Sequence, residues 1–552
     1  METRELFWGI GPLGYAVFYG VAWAAIACFL IGLARHVLKY ARGRKSPVPL
    51  NLWAGLRRMV VDVLSHRTVR RRDRAAGRGH MPVFYGFLLL FIATSIITLD
   101  YDIVEPLTGT SFWRGSFYLI FSLVADLAGL AFLIGLALLA WRRYRTRPAK
   151  LDYRRGYAGE DALRPRAERW RREDALFLGV LGLIVVSGFL QESAGLLVDR
   201  PAWAAWSPIG WLGAQILGGL GLDEAGAAAL RRANWWAHGV LALAFIAALP
   251  WYKAKHIIAV LGSLMARDAQ ALRRLPRAPA GPVGIASIEQ FSWKELLNFD
   301  ACTKCGRCHE ACPARTVGGP LSPRDLILDL RAHAEASQAR PGAATSLLGG
   351  VIKPETLWAC RSCGACQAVC PVGIEHPPMI VGMRRALVEE GAIEPTLRAA
   401  LDAVSERGNS FGESPKARGG WTRALEFPVK DLRSEPAEVL WFVGDYASFD
   451  PRNQKVSQTV ARLFRAAGLD FGILYDAERS AGNDVRRVGE EGLFESLVEH
   501  NLATLGAAKQ FARIVTTDPH SYNTLRNEYR EFGALAPVQH YSAILVELIE
   551  AG

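Results

Sequence analysis

CTKCGRCHEACP at 302–313 and CRSCGACQAVCP at 360–371 both read C-x2-C-x2-C-x3-C-P, and they hold eight of the nine cysteines in the 552-residue chain. Three thiolates at this spacing can cap three corners of an iron–sulfur cubane. The fourth, set three residues further on and followed by Pro, is held away from that cube and ligates the other one. Cys302, Cys305 and Cys308 with Cys370 are therefore expected to hold one [4Fe–4S] cluster, and Cys360, Cys363 and Cys366 with Cys312 a second. Zinc sites use paired C-x2-C hooks and have no use for a fourth Cys and Pro, twice over. His309 and His376 stand beside the motifs, either as hydrogen-bond partners of the clusters or as ordinary surface residues.

The remaining candidates lie in apolar surroundings. At 51% hydrophobic residues and a mean hydropathy of +0.12 the chain is too apolar for an ordinary soluble protein and too long for one domain. Runs near 12–34, 82–99, 115–140, 175–198 and 235–252 are long enough to cross roughly 30 Å of hydrocarbon. The first is too long for a signal-peptide core and lacks its basic leader and cleavage site. The net charge of +12 would suit nucleic acid, but its position does not: residues 35–78 hold 13 Lys and Arg against 2 acids, and residues 141–172 hold 12 against 4. These loops follow spans one and three, so the positive-inside rule puts them, and everything after about residue 256, in the cytoplasm with the N-terminus outside. Residues 203–219, rich in Trp, suit an interfacial segment in an outer loop.

Histidine or a carboxylate inside a span is costly without a partner. His80 opens span two at its inner mouth, and His238 and His256 are 18 residues apart in span five, about 27 Å along a continuous helix. His80 and His256 share one depth, where two imidazoles from facing helices could grip a haem iron axially. Interfacial histidines satisfied by headgroups or backbone would read the same way. Asp126, near the middle of span three, suits a proton or quinol role or a structural hydrogen bond to a neighbouring helix; Glu192 stands at the outer end of span four.

On His80 in GHMPVFYGFLLLFIAT and the His238/His256 pair in WWAHGVLALAFIAALPWYKAKH, this half resembles the five-span cytochrome b subunit of respiratory nitrate reductase and its relatives in membrane heterodisulfide reductases. The resemblance implies one b-type haem on His80 and His256. That family has a further His about ten residues into span two, where this chain has Leu90, so a second haem on His238 lacks its expected partner and would need another, unassigned ligand. His36 and His66 lie on the inner side by this topology and read as poor substitutes. The cysteine segment, with 47 residues between Cys312 and Cys360 and helical patterns in PRDLILDLRAHAEA and PPMIVGMRRALVEEGA, resembles the helical ferredoxin of heterodisulfide reductase.

After a polar, Gly- and Pro-rich stretch, EVLWFVG, FGILYD, RIVTTD and PVQHY alternate as strands with helical patterns, which argues for an α/β layer around a parallel sheet. VGDYASFD, GNDVRRVGEEGLF and IVTTDPHSYNTLRNEY resemble one CCG repeat of heterodisulfide reductase. The five ligand positions of that repeat hold Asp445, Ser480, Ala481, Asp518 and Ser521, oxygen donors or none, and no cluster is expected there.

The expected architecture is an all-α five-helix cytochrome b bundle (1–262), a helical ferredoxin (285–400), a linker (401–436) and a degenerate CCG-like α/β domain (437–552). The expected function is a membrane-bound oxidoreductase of a bacterial or archaeal cytoplasmic membrane. It would pass electrons between menaquinone or ubiquinone and a cytosolic flavoprotein or CCG-domain subunit, as in the electron-transfer-flavoprotein:quinone oxidoreductases it resembles. The competing expectation is a non-catalytic membrane anchor and wire within a larger complex. No G-x-G-x-x-G follows a strand, so the flavin would belong to a partner.

Overall fold

The computed structural model describes residues 2–153, 160–278, 283–339 and 345–551. Its N-terminal half is a helical bundle. Helices α1 (Pro12–Ala41), α2 (Leu52–Ser65), α3 (Arg74–Leu99), α4 (Gly115–Trp141), α5 (Glu160–Asp199), α6 (Pro208–Gly219), α7 (Glu224–Ala248) and α8 (His256–Met265) follow in order. Four of these, α1, α3, α4 and α5, are long and apolar enough to cross a membrane, and α7 with α8 makes a fifth only if a pair bent by 67° counts as one span. α3 and α4 press together at glycines. A Cβ on Gly86 would come within 2.7 Å of the Ala128 carbonyl, and one on Gly135 within 2.8 Å of Val83, the small-residue packing that lets apolar helices approach without a hydrophobic driving force.

One expectation about this half needs correction. The fifth span is not a straight rod: Pro250 cannot continue the backbone ladder, the chain breaks between Ala248 and Lys253, and the 18-residue separation of His238 and His256 does not translate into an axial rise. Within the Trp-rich stretch 203–219, α6 is a short helix that packs along α5 and against α4 with Gly210 and Ala214 buried.

The start of the chain closes one end of the bundle, where Gly115 N–H donates to Glu2 O (2.8 Å) and Trp235 Nε1 to Leu6 O (2.9 Å). The cysteine-bearing domain covers the other end. There α9 (Trp293–Ala301), opened by a Ser292/Glu295 capping box, α10 (Pro323–Ala339) and α11 (His376–Glu389) surround a core of Phe291, Phe299, Ile327, Leu357 and Met379.

The C-terminal domain begins at α12 (Pro395–Arg407) and contains β1 (Lys430–Asp431), β2 (Val439–Trp441), α13 (Pro451–Ala466), β3 (Phe471–Ile473), α14 (Asn483–Val488), α15 (Glu491–Ala507), β4 (Arg513–Thr516), α16 (Pro519–Asn527), β5 (Val538–His540) and α17 (Tyr541–Glu550). Among the described residues the sheet is five-stranded and wholly parallel, in the order β1-β3-β2-β4-β5. All four strands read from sequence are present. The segment 401–436, expected to be a linker, belongs to this domain: Trp421 is buried against Trp441 (ring centroids 5.2 Å), and β1 pairs with β3 through Lys430 and Gly472. Its Gly- and Pro-rich composition reads as loop, but one large aromatic and a two-residue edge strand suffice to anchor it.

Candidate redox centres

Each cysteine motif begins at the end of a helix or turn and bends sharply. Lys304 and Ser362 sit at equivalent positions with φ of 59° and 50°, and Gly306 and Gly364 follow with φ of 72° and 71°. Only glycine adopts that last conformation at no steric cost. The two loops therefore repeat one backbone path, and each is followed by a short helix, Arg307–Ala311 and Ala365–Ala368; Cys308 and Cys366 pack together with Val369 and Ala311.

The thiols sort into two groups of four. Burial pushes Cys308 well above the ordinary thiol range, with added repulsion first from Cys305, Cys302 and Cys370. Burial and then Cys305 push Cys370 up to about 12. Cys366 is raised by burial and by Cys360, Cys312 and Cys363. The thiols that act on one another thus include Cys370 with Cys302, Cys305 and Cys308, and Cys312 with Cys360, Cys363 and Cys366, each set drawing one member from the other motif, while Cys366 also reaches Cys308. Cys302, Cys308, Cys360, Cys366 and Cys370 are all raised by burial and resist ionisation unless cationic iron compensates them, and the donor set of eight cysteines fits two cubanes. Backbone N–H groups of Ser362 and Ile374 donate to Cys360 Sγ (3.3 Å) and Cys370 Sγ (3.4 Å), contacts of the kind that tune cluster potential.

The first motif is seated on the membrane half. Lys304 Nζ pairs with Glu173 (2.8 Å) and Asp174 (3.6 Å) of α5, and Arg307 donates to the carbonyls of Thr68 (2.9 Å) and Val69 (2.6 Å). A Cβ on Gly306 would collide with the Lys150 carbonyl oxygen. Two residues before Cys302, the fully buried Asp300 collects Lys39, Tyr40 (2.6 Å) and His36 (3.0 Å) from α1 and Lys255 (3.2 Å) from the bend before α8. Burial raises the Asp300 carboxyl, but Lys255, His36 and Lys39 more than reverse this and hold it well below the usual carboxylate range. A depressed folded-state pKa contributes stability that is complete above the ordinary Asp value and is lost only as pH falls through the lower one, so the Asp300 carboxyl itself stays ionised near neutrality. Asp300→Ala strands the buried Lys39 ammonium, while Lys255 keeps Glu335, a change that costs about 3–5 kcal/mol. Cluster absorption followed through a thermal melt should show a clearly lowered midpoint for this variant and a smaller loss for Asp300→Asn, which keeps an acceptor for Tyr40.

His80 and His256 flank this junction. His256 Nδ1 donates to Lys253 O (2.6 Å), so the lone pair of its neutral ring is on Nε2. His80 Nδ1 shares a hydrogen bond with His66 Nε2 (3.0 Å). His238 Nδ1 meets Ser187 Oγ (2.9 Å), whose hydroxyl donates to Leu183 O (2.7 Å). In all three rings Nδ1 is tied, and Nε2 has no hydrogen-bond partner among the described residues. This is how metal-ligating histidines are usually held, and it fits haem ligation by His80 and His256. His66, set aside in the sequence as a poor substitute, is buried against His80; the signal for it was only that it precedes His80 on the same side. His36 is spent on Asp300 and Pro250 O (2.7 Å). Leu90 belongs to an apolar cluster with Phe87, Phe132 and Phe245, and no second imidazole faces His238 among the described residues. Beside the cysteines, His309 bonds Ser322 Oγ (2.7 Å), and His376 is not a surface residue but is buried and pushed down to about 4 by desolvation.

Asp126 faces the N-terminus of α6, accepting from Ile209 N (2.8 Å) and Gly210 N (3.1 Å), and Glu192 packs on the same Gly210. Free N–H groups at a helix start are a sink for negative charge; the structural hydrogen bond expected of Asp126 exists, with backbone as its partner. On this geometry Asp126→Ala lowers the melting temperature and Asp126→Asn lowers it less, since an amide can accept from only one of the two N–H groups, and a thermal melt of the two variants checks the order.

In the C-terminal domain Asp445, Ser480, Ala481, Asp518 and Ser521, the positions that the resemblance to the repeat singles out, follow the carboxyl ends of β2, β3 and β4, where ligands bind in open parallel sheets. A buried guanidinium fills the place. Arg418 pairs with Asp445 (2.9 Å) and Glu478 (3.0 Å), and Glu478 in turn accepts from Val443 N and Gly444 N (both 2.8 Å). Asp518 caps α16 through His520 N and Ser521 N (both 3.0 Å). The GNDVRRVGEEGLF segment instead joins domains: Arg486, fully buried, bridges Glu491 and Glu528, and Arg384 donates to Arg487 O (2.7 Å). Between this domain and the second cluster loop lies a cleft of about 920 Å³, lined among others by exposed Cys363, Arg361, Leu272, Asp484 and His520.

An apolar bundle carrying a paired-motif iron–sulfur domain defines a membrane-anchored iron–sulfur protein. Residues 301–374 match the model of the 4Fe–4S dicluster domain. The chain is 31% identical to EtfAB:quinone oxidoreductase of Syntrophomonas wolfei, over 97% of this chain and 78% of that protein, and 32% identical to a probable membrane-anchored ferredoxin of Chromohalobacter salexigens, over 96% and 76%. It is 26% identical to one component of the dihydromethanophenazine:CoB–CoM heterodisulfide reductase of Methanosarcina mazei, over 38% of this chain and 53% of that component. The chain belongs to this family of membrane-anchored iron–sulfur oxidoreductases. No solved structure matches it.

Proposed function

We propose that the protein is a quinone-linked electron relay, with a b-type haem held by His80 and His256, one cubane held by Cys302, Cys305, Cys308 and Cys370, and the other by Cys360, Cys363, Cys366 and Cys312. When bound, these groups supply one-electron transfer, which suits a menaquinone or ubiquinone substrate in the lipid. The observation that carries the reading is the seating of the first cysteine loop: Lys304 and Arg307 bind it to α5 and to the turn that bears His66, against His80. The Arg-rich loops at this end support a cytoplasmic placement for it, with the N-terminus outside.

Cys363, exposed in the cleft beside the C-terminal domain, marks the exit toward a soluble flavoprotein or an intact CCG-domain subunit. The Arg418–Asp445–Glu478 network favours the second reading, an anchor and wire, for the cytosolic end alone, because it occupies the position where the resembling repeat binds its cluster. Iron, acid-labile sulfide and haem measured on one sample should give about eight non-haem irons and at least one b-type haem per chain. Added menaquinol should then reduce the clusters with no other subunit present. A preparation free of haem, or one in which quinol leaves the clusters oxidised, rejects the relay.

A further inference from the structure

α2 is polar on the side that faces the protein and apolar on the side that faces away. Gly55, Arg58, Asp62 and, just past its end, His66 point inward. Gly55 abuts the Met265 carbonyl at the end of α8, Arg58 donates to Arg267 O (2.7 Å), and Asp62 pairs with Arg67. Outward stand Leu52, Trp53, Leu56, Val60, Val61 and Leu64, each between 40% and 77% exposed. A helix on the surface of a soluble domain has the reverse polarity.

We propose that α2 is an in-plane membrane helix whose Trp53–Leu56–Val60–Leu64 stripe lies in the boundary between headgroups and acyl chains, against anionic lipid. Continuity and charge identify the occupant. α2 is joined by short segments to the membrane-crossing helices α1 and α3, and the Tyr85 hydroxyl of α3 donates to Leu64 O at its end. Its other neighbour, α8, is the arm that turns by 67° away from α7, so α2 and α8 form a layer between the bilayer and the cysteine-bearing domain. Arg57 on α2 and Arg67, Arg70, Arg71 and Arg72 just after it are exposed; basic residues flanking an apolar face are attracted to anionic headgroups. The assignment stands whether or not haem occupies the site beside His80.

A photoreactive phenylalanine analogue placed singly at Trp53, Val60 or Leu64 of the full chain, and at inward-facing Met59 as control, tests this in nanodiscs of phosphatidylcholine with and without phosphatidylglycerol. The expected result is lipid adducts at the three outward positions in several-fold excess over Met59, increasing further with phosphatidylglycerol. Adducts to a second copy of the chain in place of lipid, or yields no higher than at Met59, would overturn the in-plane placement. Lipid adducts indifferent to phosphatidylglycerol would overturn the assignment to anionic lipid. Cluster absorption of each variant reports that it has folded.

Discussion

Replacing His256 by Ala should abolish the b-type haem absorption and leave both iron–sulfur clusters in place but no longer reducible by quinol. The ring is fixed from behind by Lys253 O, its Nε2 has no other partner, and no second imidazole stands within hydrogen-bonding distance of it among the described residues. The loss should therefore exceed the roughly 10–100-fold that removal of an outer partner of a ligand costs. His80 differs because His66 Nε2 is 3.0 Å from it. His80→Ala leaves that second imidazole at the same mouth of α3, so part of the haem should be retained with an altered spectrum, whereas the His66/His80 double variant should resemble the His256 variant. His66→Ala alone weakens binding without removing the ligand. Haem titration of the four proteins by reduced-minus-oxidised absorption separates these outcomes. Equal, complete loss from His80→Ala and from the double variant would show that His66 is no substitute ligand, and retention of haem in His256→Ala would remove the proposed ligand pair.

The parts of this molecule that were legible in its sequence are those whose physics is local. Thiolate spacing within 12 residues specifies a cubane corner set whatever surrounds it, and apolar runs specify helices in lipid because no other backbone arrangement satisfies itself there. The four strands from Glu438 to Tyr541 were legible because apolar runs bounded by turn residues alternate with helical periods. What escaped was settled by contacts over long sequence distances. His66 meets His80 only after a left-handed turn at the end of α2 folds back on α3. Asp126 bonds the backbone of residues 83 and 84 positions further on. Arg418 is an unremarkable basic residue in a polar stretch until Asp445 and Glu478 close around it. The bend at Pro250 was readable from the residue type, but the apolar run on either side of it outweighed that signal.

Cys370→Ser and Cys312→Ser should each remove one cubane, and each should remove the one whose other three ligands lie in the opposite motif. Cys370 belongs to the second motif by position, yet after burial it is Cys305 and Cys302 that raise its thiol and it in turn raises Cys308, which supports assigning it to the proposed cluster on the membrane side. A Ser hydroxyl is a hard donor and a poor substitute for thiolate on iron, so either variant should fall from about eight to about four non-haem irons. The two should differ in which end of the wire is cut. With Cys370→Ser the surviving cluster lies beside the cleft at Cys363, accessible to a soluble reductant or dye but isolated from quinol. With Cys312→Ser the survivor lies against Lys304 and Arg307, so quinol still reduces it while electron delivery to an external acceptor fails. Pairing within each motif would exchange these two phenotypes, which makes quinol-driven reduction of the Cys312 variant, followed by electron paramagnetic resonance, the decisive measurement of how the two loops share their ligands.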